Sequence, residues 1–126
     1  MENRQSAVRR GDADPPPAVA RDGWRYHHVG IPTDEPHEGE VYLEHLKVHV
    51  AGFATSPYGI EWMRFDPDCK IDVLIRKVPH VAFQVDDLDK ALRGKTLLSG
   101  VSCPSPGVRV AMIIEEGAPI ELMQFG

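Results

Sequence analysis

Apolar and polar residues alternate in two stretches of the chain that read alike. "YGIEWMRF" at 58–65 and "APIELMQF" at 118–125 carry Ile, Glu, Met and Phe in register, 60 residues apart. Alternation with a period of two predicts strands. A second matched pair lies upstream, "HHVGIPT" at 27–33 and "PHVAFQV" at 79–85, aligned on His28 and His80. In both, His-Val is followed by a small residue and an apolar one. Each half therefore opens on a His-bearing strand and closes on a Glu-bearing strand, the mark of an internal duplication.

The later half reads as β-α-β-β-β. Residues 80–86 alternate as a strand, and "DDLDKALRG" has an Asp N-cap, Leu88, Ala91 and Leu92 at helical spacing, and Gly94 to stop the turn. "KTLLSG" predicts a short strand, "CPSPG" a turn, and "VRVAMIIEE" with "APIELMQF" a hairpin across Gly117. The earlier half is shorter. "WRYHHVGIP", "KVHVAGF" and "YGIEWMRF" predict strands, "EPHEGEVYLEHL" a loop or a weak helix, and one strand is expected to be missing. The apolar Val73, Leu74 and Ile75 of the connecting segment fit a short packed helix or an extra strand. The organisation expected is a disordered tail (1–22), a module (23–66), a linker (67–78) and a second module (79–126), the last three forming one domain.

Strand parity sorts the faces. Val81, Phe83 and Val85 share one side, which must pack on helix, so His80 and Gln84 point the other way. By the same rule His28 faces away from Val29 and Ile31. Glu61, Met63 and Phe65 oppose Ile60 and Trp62, as Glu121, Met123 and Phe125 oppose Ile120 and Leu122. Two halves that curl toward each other then enclose a cleft. Met63, Phe65, Gln84, Met123 and Phe125 are its expected lining for a small-molecule substrate, although the Met and Phe residues also fit plain core. His27 has the opposite parity and is expected to stay out of the cleft. His45 and His49 are expected to be solvated, and Arg64 and Arg109 to lie at the surface.

Two buried carboxylates side by side are costly unless something positive neutralises them. One divalent ion held by His28, Glu61, His80 and Glu121 resolves this, with Zn, Ni, Co, Mn or Fe as the options. A lone strand histidine is usually an ordinary polar residue; the duplicated His and Glu pairs carry the argument.

Composition narrows the partners. The 126 residues carry a formal net charge of −5, which argues against nucleic acid. No apolar run approaches the roughly 20 residues needed to cross a bilayer. The first 22 residues lack an apolar stretch of the secretory kind, and the two cysteines, Cys69 and Cys103, make no metal or disulfide pattern. A cytoplasmic location with free thiols is expected.

The quoted segments resemble the vicinal oxygen chelate superfamily, which includes glyoxalase I, methylmalonyl-CoA epimerase, extradiol dioxygenases and bleomycin-resistance proteins. "HVAFQVDDLDKAL" is the most specific stretch, and the resemblance spans about residues 24–125. It implies an α+β fold of two paired βαβββ modules, the first shortened, forming a curved mixed sheet around a metal cleft. It also implies metal ligands on the first and last strands of each module. The activity it implies is that of a lyase or isomerase that chelates vicinal substrate oxygens and stabilises an enediolate, with Glu61 or Glu121 as the catalytic base. A ligand-sequestering protein of the bleomycin-resistance type is the alternative, and an iron oxygenase a third reading. Members of the superfamily are often dimers, and a homodimer is expected here.

Overall fold

In the computed structural model, residues 10–11 and 15–126 are described. The earlier half supplies β1 (Arg25–Pro32), β2 (Val41–Leu43), β3 (Val48–Ala51) and β4 (Ile60–Phe65). The later half supplies β5 (His80–Gln84), α3 (Leu88–Ala91), β6 (Thr96–Ser105), β7 (Val108–Glu115) and β8 (Ala118–Phe125). Two further short helices, α1 (Pro17–Ala20) and α2 (Val73–Lys77), precede β1 and β5. Of the expected N-terminal tail, residues 1–9 and 12–14 lie outside the described residues, and α1 falls in its remainder.

All eight strands join one mixed sheet in the order β2-β3-β4-β1-β5-β8-β7-β6. Each half pairs its first strand with its last in parallel, β1 with β4 and β5 with β8. The halves join where β1 and β5 run antiparallel. This repeat relates the halves by a pseudo-two-fold axis between β1 and β5. The sheet curls strongly, because Leu43 of β2 and Ser99 and Ser102 of β6, from its opposite edges, line one cavity.

Parity holds for the later half. Val85, Leu122, Ala111 and Ile113 pack with Leu88 of α3 on the outer side, and Phe83 and Ile120 join them. The Asp87 side chain caps α3 by accepting from the Lys90 amide at 3.1 Å. The turn between β7 and β8 uses Glu116 and Gly117, both at positive φ, as a tight two-residue hairpin requires.

Three expectations need correction. The earlier half has its full four strands; the segment read as loop or weak helix contains β2, and what is absent among the described residues is the helix between β1 and β2. Residues 33–40 cover the outer side instead. His37 stacks on Trp62 at 4.7 Å between centroids, and Arg64 donates to both Glu40 oxygens at 3.0 and 2.6 Å. Those contacts replace helix packing with a polar and aromatic brace. Second, "CPSPG" is not all turn: Cys103–Ser105 belong to β6. As an edge strand with irregular register, β6 tolerates Pro104, which has no N–H to offer a neighbour. Third, His49 is not simply solvated. Its Nε2 lies 3.2 Å from Asp66 Oδ1, and Asp66 also accepts from the Tyr42 hydroxyl at 2.6 Å.

The connecting segment resolves as helix. Asp72 caps α2 by accepting from the Leu74 amide at 2.8 Å, and Ile75 is buried by its own chain.

Candidate metal centre

Register across the four central strands decides what meets. Gly30 of β1 pairs with Glu61 of β4 on one side and His80 of β5 on the other. Ala82 of β5 pairs with His28 of β1 on one side and Glu121 of β8 on the other. Two rows therefore cross the sheet, Glu61–Gly30–His80 and His28–Ala82–Glu121, exchanged by the pseudo-two-fold axis. In each, a small residue separates two polar side chains, so these can lean inward over it. At Gly30 the lean is extreme. A Cβ there would fall 2.2 Å from His80 Cε1. The sequence carried this signal in the small residue two places after each histidine.

The side chains converge within one chain. Glu121 Oε1 lies 3.3 Å from both His28 Nε2 and His80 Nε2, and Glu61 Oε1 lies 3.7 Å from His28 Nε2. Both histidines are 4% exposed. Donor atoms of His28, His80 and Glu121 all lie within 4.8 Å of one another. Nitrogen and oxygen donors about 2.1 Å from a shared ion stand roughly 3.0–3.4 Å apart, depending on octahedral or tetrahedral arrangement. The two 3.3 Å separations fit, so these three residues could hold a metal ion, with Glu61 beside them.

The carboxylates differ. Burial pushes the Glu121 carboxyl up, but hydrogen bonds from His28 and His80 outweigh it and bring it down to about 2. Burial raises Glu61, and the nearby His28 offsets this only in part. Glu121 is thus held ionised, while Glu61 is moved in the opposite direction.

The cavity above the rows has a volume of about 460 Å³. Met63 and Met123 line it as expected, with Val48, Val50, Val110 and Met112. Phe65, Gln84 and Phe125 do not. Each is four residues from the Glu61, His80 or Glu121 of its own strand, and at ~3.3 Å per residue that is about 13 Å along the sheet. Correct parity left them outside the cavity wall, with Phe125 reaching only the His27 ring, at 5.5 Å between centroids. Phe65 lines a separate depression with Thr33 and Arg76, and Phe125 is 40% exposed. Parity missed four contributors. Phe53 follows β3, Ile71 and Ile75 come from the linker, and His27 enters through a bulge that shifts the β1–β5 register between Tyr26 and His28. The extra residue of a bulge is re-aimed, which reverses the expectation for His27.

No protein-family model matches the sequence, and no curated protein does. Solved structures do. Methylmalonyl-CoA epimerase from Mycobacterium tuberculosis shares 22% identity over 81% of this chain and 88% of its own, with a TM-score of 0.54. A hypothetical protein from Bacillus halodurans C-125 shares 15% identity over 94% and 88%, with a TM-score of 0.51. The chain shares the fold of these two structures, a curled mixed sheet built from two paired modules. Both modules come from one chain, and the first has four strands with no helix between β1 and β2 among the described residues.

Proposed function

We propose that the protein is a small metal-dependent enzyme, an isomerase or lyase that moves a proton next to a carbonyl group. The observation that carries this reading is the meeting of His28, His80 and Glu121 at the floor of an apolar cavity, with Glu61 alongside. That the similar epimerase is an isomerase agrees with it.

A bound divalent ion supplies Lewis-acid stabilisation of the negative charge that develops on two neighbouring substrate oxygens. The protein residues do the rest. His28 and His80 present nitrogen donors that are fixed by burial. Glu121, ionised and in contact with both, completes the set. Glu61 takes a proton from substrate carbon and returns it, a role suited to a carboxyl that burial raises above its ordinary value. Met63, Met112 and Met123 wall the cavity with adaptable apolar surface that excludes water from the reacting carbon.

The alternative is sequestration of an apolar ligand without turnover, which the same apolar lining favours. A homodimer remains part of the proposal. The buried Ile75 no longer asks for a second chain, but Val29, Ile31 and Ile60 face outward and are only half-buried.

Elemental analysis of protein purified without a chelating resin tests the metal reading. About one transition-metal ion per chain is the expected result. Protein free of metal that also fails to take up Zn, Ni, Co, Mn or Fe would overturn it. Deuterium wash-in from D2O to a carbon beside a substrate carbonyl, lost in Glu61→Gln, then separates enzyme from sequestering protein.

A further inference from the structure

His27 belongs to no row of the sheet, and the duplication does not explain it. Its counterpart by alignment is Pro79, which has no side-chain hydrogen-bonding group. The β1 bulge turns its ring into the cleft, where Nδ1 lies 2.8 Å from Nδ1 of His28. Phe53 and Phe125 pack against the same ring, at 5.4 and 5.5 Å between centroids. His27 is not among the side chains whose donor atoms meet. It touches a member of that group from behind.

A contact this short between two imidazole nitrogens needs one N–H and one lone pair. His28 faces both carboxylates through Nε2, its donor atom toward an ion. A neutral imidazole with Nε2 free for an ion carries its only ring proton on Nδ1. That proton then points at His27. The equivalent atom on the other half, His80 Nδ1, is buried without a hydrogen-bond partner. The two histidines are therefore unequal: one has a polar partner at Nδ1, the other has none there.

We propose that His27 is a positioning residue for His28, accepting the His28 Nδ1 proton so that the ring is locked in the tautomer and orientation that offer Nε2 to a metal ion. This rests on the metal reading above. An outer partner of this kind fixes a ligand histidine's orientation and raises its basicity, and its loss typically weakens metal affinity about 10–100-fold. The bulge has a purpose on this account, since a regular β1 would turn residue 27 to the outer face.

The test uses the full chain and zinc chloride, followed by calorimetric titration. His27→Phe keeps a ring between Phe53 and Phe125 but removes the acceptor; His27→Asn restores an acceptor near the position of Nδ1. Zinc affinity is expected to fall about 10–100-fold in His27→Phe and to recover to within a few-fold of wild type in His27→Asn. In parallel, nitrogen-15 spectra of the zinc-loaded wild type, which need no variant to fold, are expected to show His28 protonated at Nδ1 and metal-shifted at Nε2. Equal affinity in His27→Phe, no recovery in His27→Asn, or an unprotonated Nδ1 on zinc-bound His28 would each overturn the proposal. Failure of the wild type itself to bind zinc or any other divalent metal would overturn the metal reading as well, a result distinct from the other three.

Discussion

The His80 imidazole lies over the α-carbon of Gly30, so close that a methyl group there would meet its Cε1 at 2.2 Å and its Nε2 at 2.8 Å. The ring is buried and borders the cavity, the open side toward which it would be pushed. Gly30→Ala should therefore displace His80 and cost zinc affinity at least as much as a lost outer partner, about 100-fold, with the fold retained. Gly100 in β6 has nothing within 4 Å of an added Cβ, so Gly100→Ala is the control that should bind as wild type. Calorimetry on the two variants decides the point; equal affinities would remove the interlock.

The two carboxylates should separate by role. Glu121 touches both histidines and Glu61 only one. Glu121→Gln and His80→Ala should abolish stoichiometric metal uptake, whereas Glu61→Gln should keep the metal and lose proton exchange at substrate carbon. His45→Ala, at an exposed position, should change neither. Metal content and deuterium wash-in on the same preparations read both effects.

Without an ion, the site's stability should depend on pH in opposite directions at its two acids. Glu121 lies at about 2 in the folded chain against an ordinary 4.5, so its contribution is present above about 4.5 and is lost as pH falls from there toward about 2. Glu61 lies above 4.5 when folded, so its contribution is present below that value and lost as pH rises. With EDTA at pH 7, Glu121→Gln should lower the melting temperature and Glu61→Gln should raise it, each by on the order of 5 °C. Calorimetric melts between pH 3 and 7 test the pair of signs, and a loss of stability in both variants at pH 7 would contradict the assignment.

Because His28, His80 and Glu121 meet within one chain, mixing His28→Ala with Glu121→Ala should restore no metal binding. Light scattering should nevertheless give twice the chain mass of 14.0 kDa, reflecting the homodimer proposed on the outer face of the earlier half. Restored binding in the mixture would mean that ligands are shared between chains.

How much of this was legible depends on range. The four candidate ligands followed from repetition and parity, because a period of two fixes a side chain's face once a strand is regular. The same rule failed at His27, where a bulge breaks the count, and nothing local in "RYHHVG" announces one. It failed differently at Phe65, Gln84 and Phe125, since parity gives the face but not the distance along the strand. The missing helix was mistaken for a missing strand because β2 is only three residues long and takes its order from pairing with β3. Pro104 suggested a turn, and only the place of β6 at the sheet's edge made it acceptable in a strand.

Among the described residues, both clusters of buried apolar side chains belong to the later half: Val85, Leu88, Ala111, Ile113 and Leu122 on one side of the sheet, Ala82, Val110 and Met123 on the other. The earlier half leans on that core through β1. An ion held by His28 on one side and by His80 and Glu121 on the other would cross-link the two, and whatever binds only the folded state stabilises it by mass action. Metal starvation would then do more than silence a site. It would leave residues 25–65 open to proteases while 80–125 stayed resistant, and the cell's metal supply would set how long each molecule survives.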